Sequence, residues 1–330
     1  MSNEKTTSLE QLLASAELPA LPQSAIRLLE LTQDSANGPA EFAASVETDP
    51  ALTSQILRLA NSSYFGFSRE ISSVKLAITL IGSQTITNFA LWHAVYSLIP
   101  DPQCGSFHLK SLWRDSLRRG LFAQTLGKLL GMKNAEDLFV ASLLQDMAVP
   151  LLVRQLPQAY EELFEARQTG RARLSELEEQ RFGWSHAAAA GMVARAWSLP
   201  EQLAALIEGH ACIDELAGRP AEDPGKLVVG LSALLPSESD PDWTERNQFE
   251  AAFAKVRDER WPEPASLLAQ IDNEFQQFAP LLKLAAAGRS LIESYRAAQR
   301  EDLGSSAGCS GGDESSGPSD REKEVSGIGS

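Results

Sequence analysis

From residue 18 to about residue 298 the sequence repeatedly pairs a helix-starting signal with a helix-stopping one, and the apolar residues between them recur at spacings of three and four. That spacing buries one stripe of a helix and does not suit one face of a strand, so it predicts helix after helix and an all-α fold. No convincing strand-like run interrupts it. Pro22 opens a helix carrying Ile26, Leu28, Leu29 and Leu31, and Asn37, Gly38 and Pro39 end it and begin the next. Asp49 before Pro50 is a cap with a first-turn proline, followed by Leu52, Ile56, Leu57 and Leu59 up to Asn61. Ser73 and Ser83 cap two more helices, and the second breaks at Pro100 and Pro102. These form a compact N-terminal group.

A long helix is expected over 109–130, stopped by Gly131, with Asn134 capping its successor and Pro150 kinking or ending that one. Ser175 with Glu178 reads as a capping box, Pro200 opens a helix toward His210, and two amphipathic helices follow over about 244–257 and 265–298. Beyond Leu303 the sequence turns to Gly, Ser, Asp and Glu, a composition that cannot repay the entropy of ordering.

With 330 residues, 43% of them hydrophobic, the chain can bury a substantial core as one large domain or two smaller ones. Cys104, Cys212 and Cys309 lie about a hundred positions apart, so neither a disulfide framework nor a CxxC site is available. The polar N-terminal segment has no basic and apolar leader, and stretches such as 227–235 are too short to span a bilayer, so a cytoplasmic protein without membrane contact is expected. The net charge of −15 weighs against sequence-independent binding to nucleic acid. The one basic cluster, Arg114, Arg118 and Arg119 at helical spacing, is read as a solvated helix face and not as a phosphate site.

Several segments carry a family resemblance. The run Leu18-Pro19-Ala20-Leu21-Pro22, then Asp49-Pro50-Ala51-Leu52, Leu57-Arg58-Leu59-Ala60-Asn61-Ser62-Ser63-Tyr64-Phe65-Gly66 and Ala77-Ile78-Thr79-Leu80-Ile81-Gly82, resembles the HDOD domain, a degenerate relative of the HD metal phosphohydrolases. The likeness continues through Leu112-Trp113-Arg114-Asp115-Ser116, Gln145-Asp146, Phe182-Gly183-Trp184-Ser185-His186 and Ala196-Trp197-Ser198-Leu199-Pro200. It implies an N-terminal helical subdomain (18–102) packed on an HD-like helical bundle (103–235), after a polar segment (1–17) and before C-terminal helices (236–302) and a disordered acidic tail (303–330). Read from the residues alone, the segment from Leu57 to Gly66 is a helix end with Leu57 and Ala60 inward and Gly66 turning the loop.

An HD phosphohydrolase holds its divalent metal with a His, an adjacent His-Asp pair and a distant Asp. At the matching positions the resemblance places Asp115, Gln145 with Asp146, and Ser232. One of the four ligands survives, and a neutral amide is a poor substitute for imidazole, so no metal, no other cofactor and no hydrolysis are expected. His186 and His210 stand where some members of the wider superfamily have further metal-binding histidines, which makes Asp115, Asp146, His186 and His210 the candidate relocated site. The plainer reading has each histidine capping or bridging helices, His210 as a cation favoured at a helix end, and the pocket empty, filled by water or closed by bonds among Gln145, Asp146 and His186. The expected function is therefore a non-catalytic signalling module acting through a protein partner. The alternative is a relocated metal phosphohydrolase, or a cyclic-dinucleotide binder in the cleft between the two helical groups.

Overall fold

A computed structural model of the chain describes residues 8–308 apart from 17, 106, 171, 219–221, 258–260 and 287. The described residues form helices joined by turns, with no strand among them. The N-terminal group comprises α1 (Leu9–Ser15), α2 (Gln23–Thr32), α3 (Pro39–Glu47), α4 (Pro50–Ala60), α5 (Val74–Ile81) and α6 (Ser83–Leu98). A bundle follows: α7 (Leu109–Leu129), α8 (Ala135–Leu144), α9 (Val149–Gln155), α10 (Pro157–Gly170), α11 (Leu174–Phe182), α12 (His186–Ala196), α13 (Glu201–Glu208), a 3-10 turn (Gly209–Ala211), α14 (Ile213–Gly218) and α15 (Pro224–Ala233). The chain then runs through α16 (Arg246–Val256), α17 (Pro264–Phe278) and α18 (Leu291–Gly308). No described helix is long and apolar enough to cross a membrane.

Most local signals act as the sequence suggests in the N-terminal group, but Ser83 does not cap: it is the first residue of α6, and Gly82 holds the N-cap position with no side-chain bond. Asp49 accepts from the backbone N–H of Ala51 and Leu52, and Ser73 from that of Leu76, so each helix start has a side-chain oxygen on an otherwise orphaned donor. Asn61 ends α4 and does more than cap it. Its amide donates to the carbonyls of Leu57 and Ile71, both at 2.9 Å, and accepts from Ile71 N at 2.7 Å, clasping the loop that Gly66 turns with a φ of 61°. Leu59 and Ala60 face inward, while Leu57 is only half-buried. Leu59 is 1% exposed, so Leu59→Ala should cost about 2–5 kcal/mol in urea titration. A near-neutral result would remove Leu59 from the packed core.

Four further expectations about the helices need correction. Pro150 does not stop a helix: the chain turns at residues 145–148, and Pro150 sits in the first turn of α9, where a missing N–H costs nothing. The single helix expected over 265–298 is broken by the 3-10 turn Ala279–Leu282 and by Lys283 in the left-handed region. Glu178 is not the partner in a capping box, because α11 begins one residue before Ser175 and Glu176 takes the Arg173 N–H. Finally, α18 reaches Gly308, past the expected tail boundary at 303; residues 309–330 lie outside the described residues.

The pairing of α7 and α8 sets the geometry of everything below. A Cβ on Gly127 would stand 2.7 Å from Leu138 Cδ1, and one on Gly120 would stand 3.1 Å from the Phe139 carbonyl. Two small residues two turns apart therefore let the helices approach closely, which holds Arg119 on α7 against Asp146 just beyond α8.

Candidate functional site

Asp115, Arg118 and Arg119 lie three and four residues apart on α7, hence on one face, and that face is turned inward. Arg118 is 3% exposed, with its guanidinium 4.1 Å above the Phe275 ring and 3.6 Å from Asp115. Arg114 pairs with Glu238 at 2.6 Å, and Arg119 donates to Asp146 Oδ2. The expected solvated basic face is thus a row of buried or half-buried ion pairs.

Asp115 bonds to a turn and does not join the histidine cluster. Its carboxylate accepts from Ser237 Oγ at 2.7 Å and from Glu238 N at 3.1 Å. Burial pushes its pKa up to about 6, against the pull of Arg119, Ser237 and Arg118. Gln145 is fully buried, and its Oε1 lies 3.3 Å from Ser232 Oγ, which is also 3.0 Å from Ser142 Oγ and 2.7 Å from the Val229 carbonyl. The four positions that would correspond to the HD ligands are thus engaged in three separate sets of protein bonds. Gln145 does not join Asp146 and His186 in closing the pocket.

Asp146, His186 and His210 do converge. Asp146 Oδ1 is 3.3 Å from His186 Nε2 and 3.6 Å from His210 Nε2, and the two Nε2 atoms are 3.1 Å apart. The far side of each ring is anchored. His186 Nδ1 sits 2.6 Å from Glu178 Oε2, and His210 Nδ1 sits 2.6 Å from the Ile207 carbonyl. A carbonyl only accepts, so His210 carries its proton on Nδ1 and turns a lone pair toward His186. His186 must then bring the proton that lies between the rings.

The electrostatics agree with that assignment. Burial disfavours the charged form of both rings, but Glu178 and Asp146 lift His186 to about 9. His210 faces the charged His186 and falls to about 3, so it is not the helix-end cation expected of it. Burial would also raise Asp146, yet Arg119 and the two rings hold it well below the usual carboxylate range.

Glu178 is the residue that sequence reasoning missed. It is fully buried, and besides the His186 ring it accepts from His186 N at 2.6 Å and from Tyr160 Oη at 2.7 Å. A cavity of about 130 Å³ opens beside the cluster, with Arg119, Asp146, His186 and His210 in its wall together with Arg167 and Arg173. Exposed His108 stands at its rim, and His93 lies elsewhere, half-buried on α6.

The HDOD domain family model matches residues 18–212. The chain belongs to the HDOD family. Among solved structures it resembles an HDOD domain protein of unknown function from Geobacter sulfurreducens, at 19% identity and TM-score 0.59, covering 90% of this chain and 94% of that one. It also resembles a Marinobacter aquaeolei VT8 protein whose name proposes signal transduction, at 18% identity and TM-score 0.61, covering 86% and 66%. A third likeness is to a Shewanella amazonensis SB2B protein whose name proposes a phosphohydrolase, at 23% identity and TM-score 0.55, covering 86% and 97%. At these identities the likenesses establish the HDOD fold. An uncharacterized protein of Treponema pallidum (strain Nichols) is 22% identical over 195 residues, 59% of this chain but 37% of that relative's length.

Whether an HDOD site of this composition suits a metal depends on which donors are considered. The set Asp115, Gln145, Asp146 and Ser232 does not fit: one member is an amide, one a hydroxyl, and the Asp115 oxygens serve Ser237 and Glu238. The set Asp146, His186 and His210 fits better, with one donor atom from each lying within 4.8 Å of the others. Both Nδ1 atoms rest on oxygens, as outer-shell partners orient metal-binding imidazoles. Two imidazoles and a carboxylate are a donor set that zinc accepts. Asp115 has no part in it.

Proposed function

We propose that this HDOD chain is a non-catalytic regulatory module that works through contacts with a protein partner in the cytoplasm, using neither metal nor nucleic acid. The observation that carries this reading is the replacement of metal ligation by internal bonding. Gln145 and Ser232 bond within the core, Asp115 serves a turn, and the Arg119 guanidinium supplies the positive charge on Asp146 that a cation would otherwise supply. Metal-assisted hydrolysis needs several ligands and an activated water, and Arg119 cannot lower the pKa of a coordinated water. The surface offers a contact point: Leu76 and Leu80, one turn apart on α5, are 40% and 47% exposed.

The second reading is a metal-bound phosphohydrolase, and it is favoured by the convergence of Asp146, His186 and His210. When bound, a metal would act as Lewis acid, with those three side chains holding it and Glu178 orienting His186. Elemental analysis of protein purified without chelator, with hydrolysis assays on model phosphodiesters and cyclic dinucleotides in added Mn or Mg, decides between them. The expected result is well under one metal per chain and no turnover. Stoichiometric metal with turnover that vanishes in Asp146→Ala would replace the first reading with the second.

The cleft between the N-terminal helices and the bundle has little provision for a cyclic dinucleotide. Its cavity of about 250 Å³ has aromatic walls including Tyr64, Phe89, Trp92 and Phe278, and Lys128 is the one cation among its described lining residues. Two phosphates call for more positive charge than that.

A further inference from the structure

The cavity beside His186 contains a cation that forms no ion pair among the described residues. Arg173, at the entrance to α11, is 9% exposed, and its one side-chain hydrogen bond among the described residues runs from Nη1 to the Ala211 carbonyl at 3.2 Å. The other buried cations nearby have acids of their own. Arg167 takes Asp240 at 2.5 Å and Glu245 at 3.0 Å, Arg119 takes Asp146, and His186 takes Glu178. A guanidinium stays charged at any physiological pH, and sequestering it from water is costly unless an anion compensates it. Burial dominates its surroundings and drives its pKa down despite the field of Glu245 and Glu176.

Arg173 lines the cavity together with Arg119, Arg167, His186 and the hydroxyl side chains of Ser175 and Ser237, and the acids of the same wall, Asp146, Asp240 and Glu245, are the ones already paired with Arg119 and Arg167. The volume of about 130 Å³ is several times the roughly 10–15 Å³ that one water requires. We infer that this cavity binds a phosphate-type oxyanion, free or as the terminal group of a small phosphorylated metabolite, with the Arg173 fork as its principal contact. Arg suits the role because its planar donors match two oxygens of a tetrahedral anion at once. Such a site would give the HDOD module a signal to sense, and it requires neither hydrolysis nor a bound metal, so it stands or falls separately from the functional reading above.

The test uses the full chain, freed of metal by chelator and dialysed. Melting temperature is followed against inorganic phosphate at constant ionic strength, with chloride as control so that general screening cancels. A second arm replaces phosphate with glycerol 3-phosphate, and a stronger response there identifies a phosphate ester as the ligand. The expected result is a saturable rise in melting temperature for the wild type. In Arg173→Gln the apparent affinity should fall roughly ten- to a hundredfold, the loss that goes with a charge-assisted bond. If that variant does not fold, Gln168→Glu supplies the decision. Gln168 is an exposed residue at the cavity rim, so a carboxylate there should leave the fold intact and weaken phosphate binding severalfold. No saturable response to either anion, or responses unchanged in the variants that fold, would overturn the inference.

Discussion

Glu178→Ala is expected to destabilise the protein by about 3–5 kcal/mol, the loss typical when one partner of a buried ion pair is removed. The carboxylate is fully buried and serves the His186 ring, the His186 backbone N–H and the Tyr160 hydroxyl together. Its removal leaves the imidazolium with Asp146 as its remaining acid and takes the acceptor from two buried donors. Glu178→Gln separates charge from shape. The amide can still accept one or two of these bonds but cannot balance the imidazolium, so its loss should lie between wild type and alanine in urea denaturation. If alanine and wild type unfold at the same denaturant concentration, Glu178 does not organise the site.

A large effect should also appear on the alkaline side of a pH–stability profile of the metal-free protein. His186 is raised to about 9 from 6.5, so its contribution is whole below pH 6.5 and is lost as the pH climbs through 9. His210 is lowered to about 3, so its contribution is whole above pH 6.5 and is lost as the pH falls toward 3. The pair therefore stabilises most near pH 6.5. Between 6.5 and 9 stability should decline by about 1.4 kcal/mol per pH unit on account of His186, roughly 3 kcal/mol in all. Asp115, pushed up to about 6, is largely ionised by pH 7, which makes the interval from 7 to 9 the cleaner one to measure. Chemical denaturation at pH 7 and pH 9 checks it, and His186→Gln should flatten the decline. An equal slope in the variant would mean that the proton does not reside on His186.

The helical architecture was legible because its signals are local. Asp49 and Ser73 cap with their own side chains, and a periodic stripe needs no knowledge of its partner. Pro150 was misread because a proline means opposite things at the start and the end of a helix, and the turn at 145–148 that decides between them has no strong breaker residue. Asp146, His186 and His210 were recognisable by residue type and by the family motif. Glu178 was not, because eight residues separate it from His186 and only the packing of α11 against α12 brings them together. Ser175 three residues before it also made it look like half of a cap. Arg119 was read as part of a solvated basic face and Arg173 drew no notice, for a similar reason: a sequence reports that a cation exists, but burial and pairing decide whether that charge is spent.

The family match ends at residue 212, yet the site does not. Ser237 and Glu238 receive Asp115 and Arg114, Phe275 lies under Arg118, and Phe278 meets Tyr64 edge-on at 4.9 Å. The matched segment is therefore not a portable unit. Excised at its family boundary, it would expose one buried acid, two guanidiniums and an aromatic face at once, so a fragment cut there would be a poor reporter of what the intact chain does.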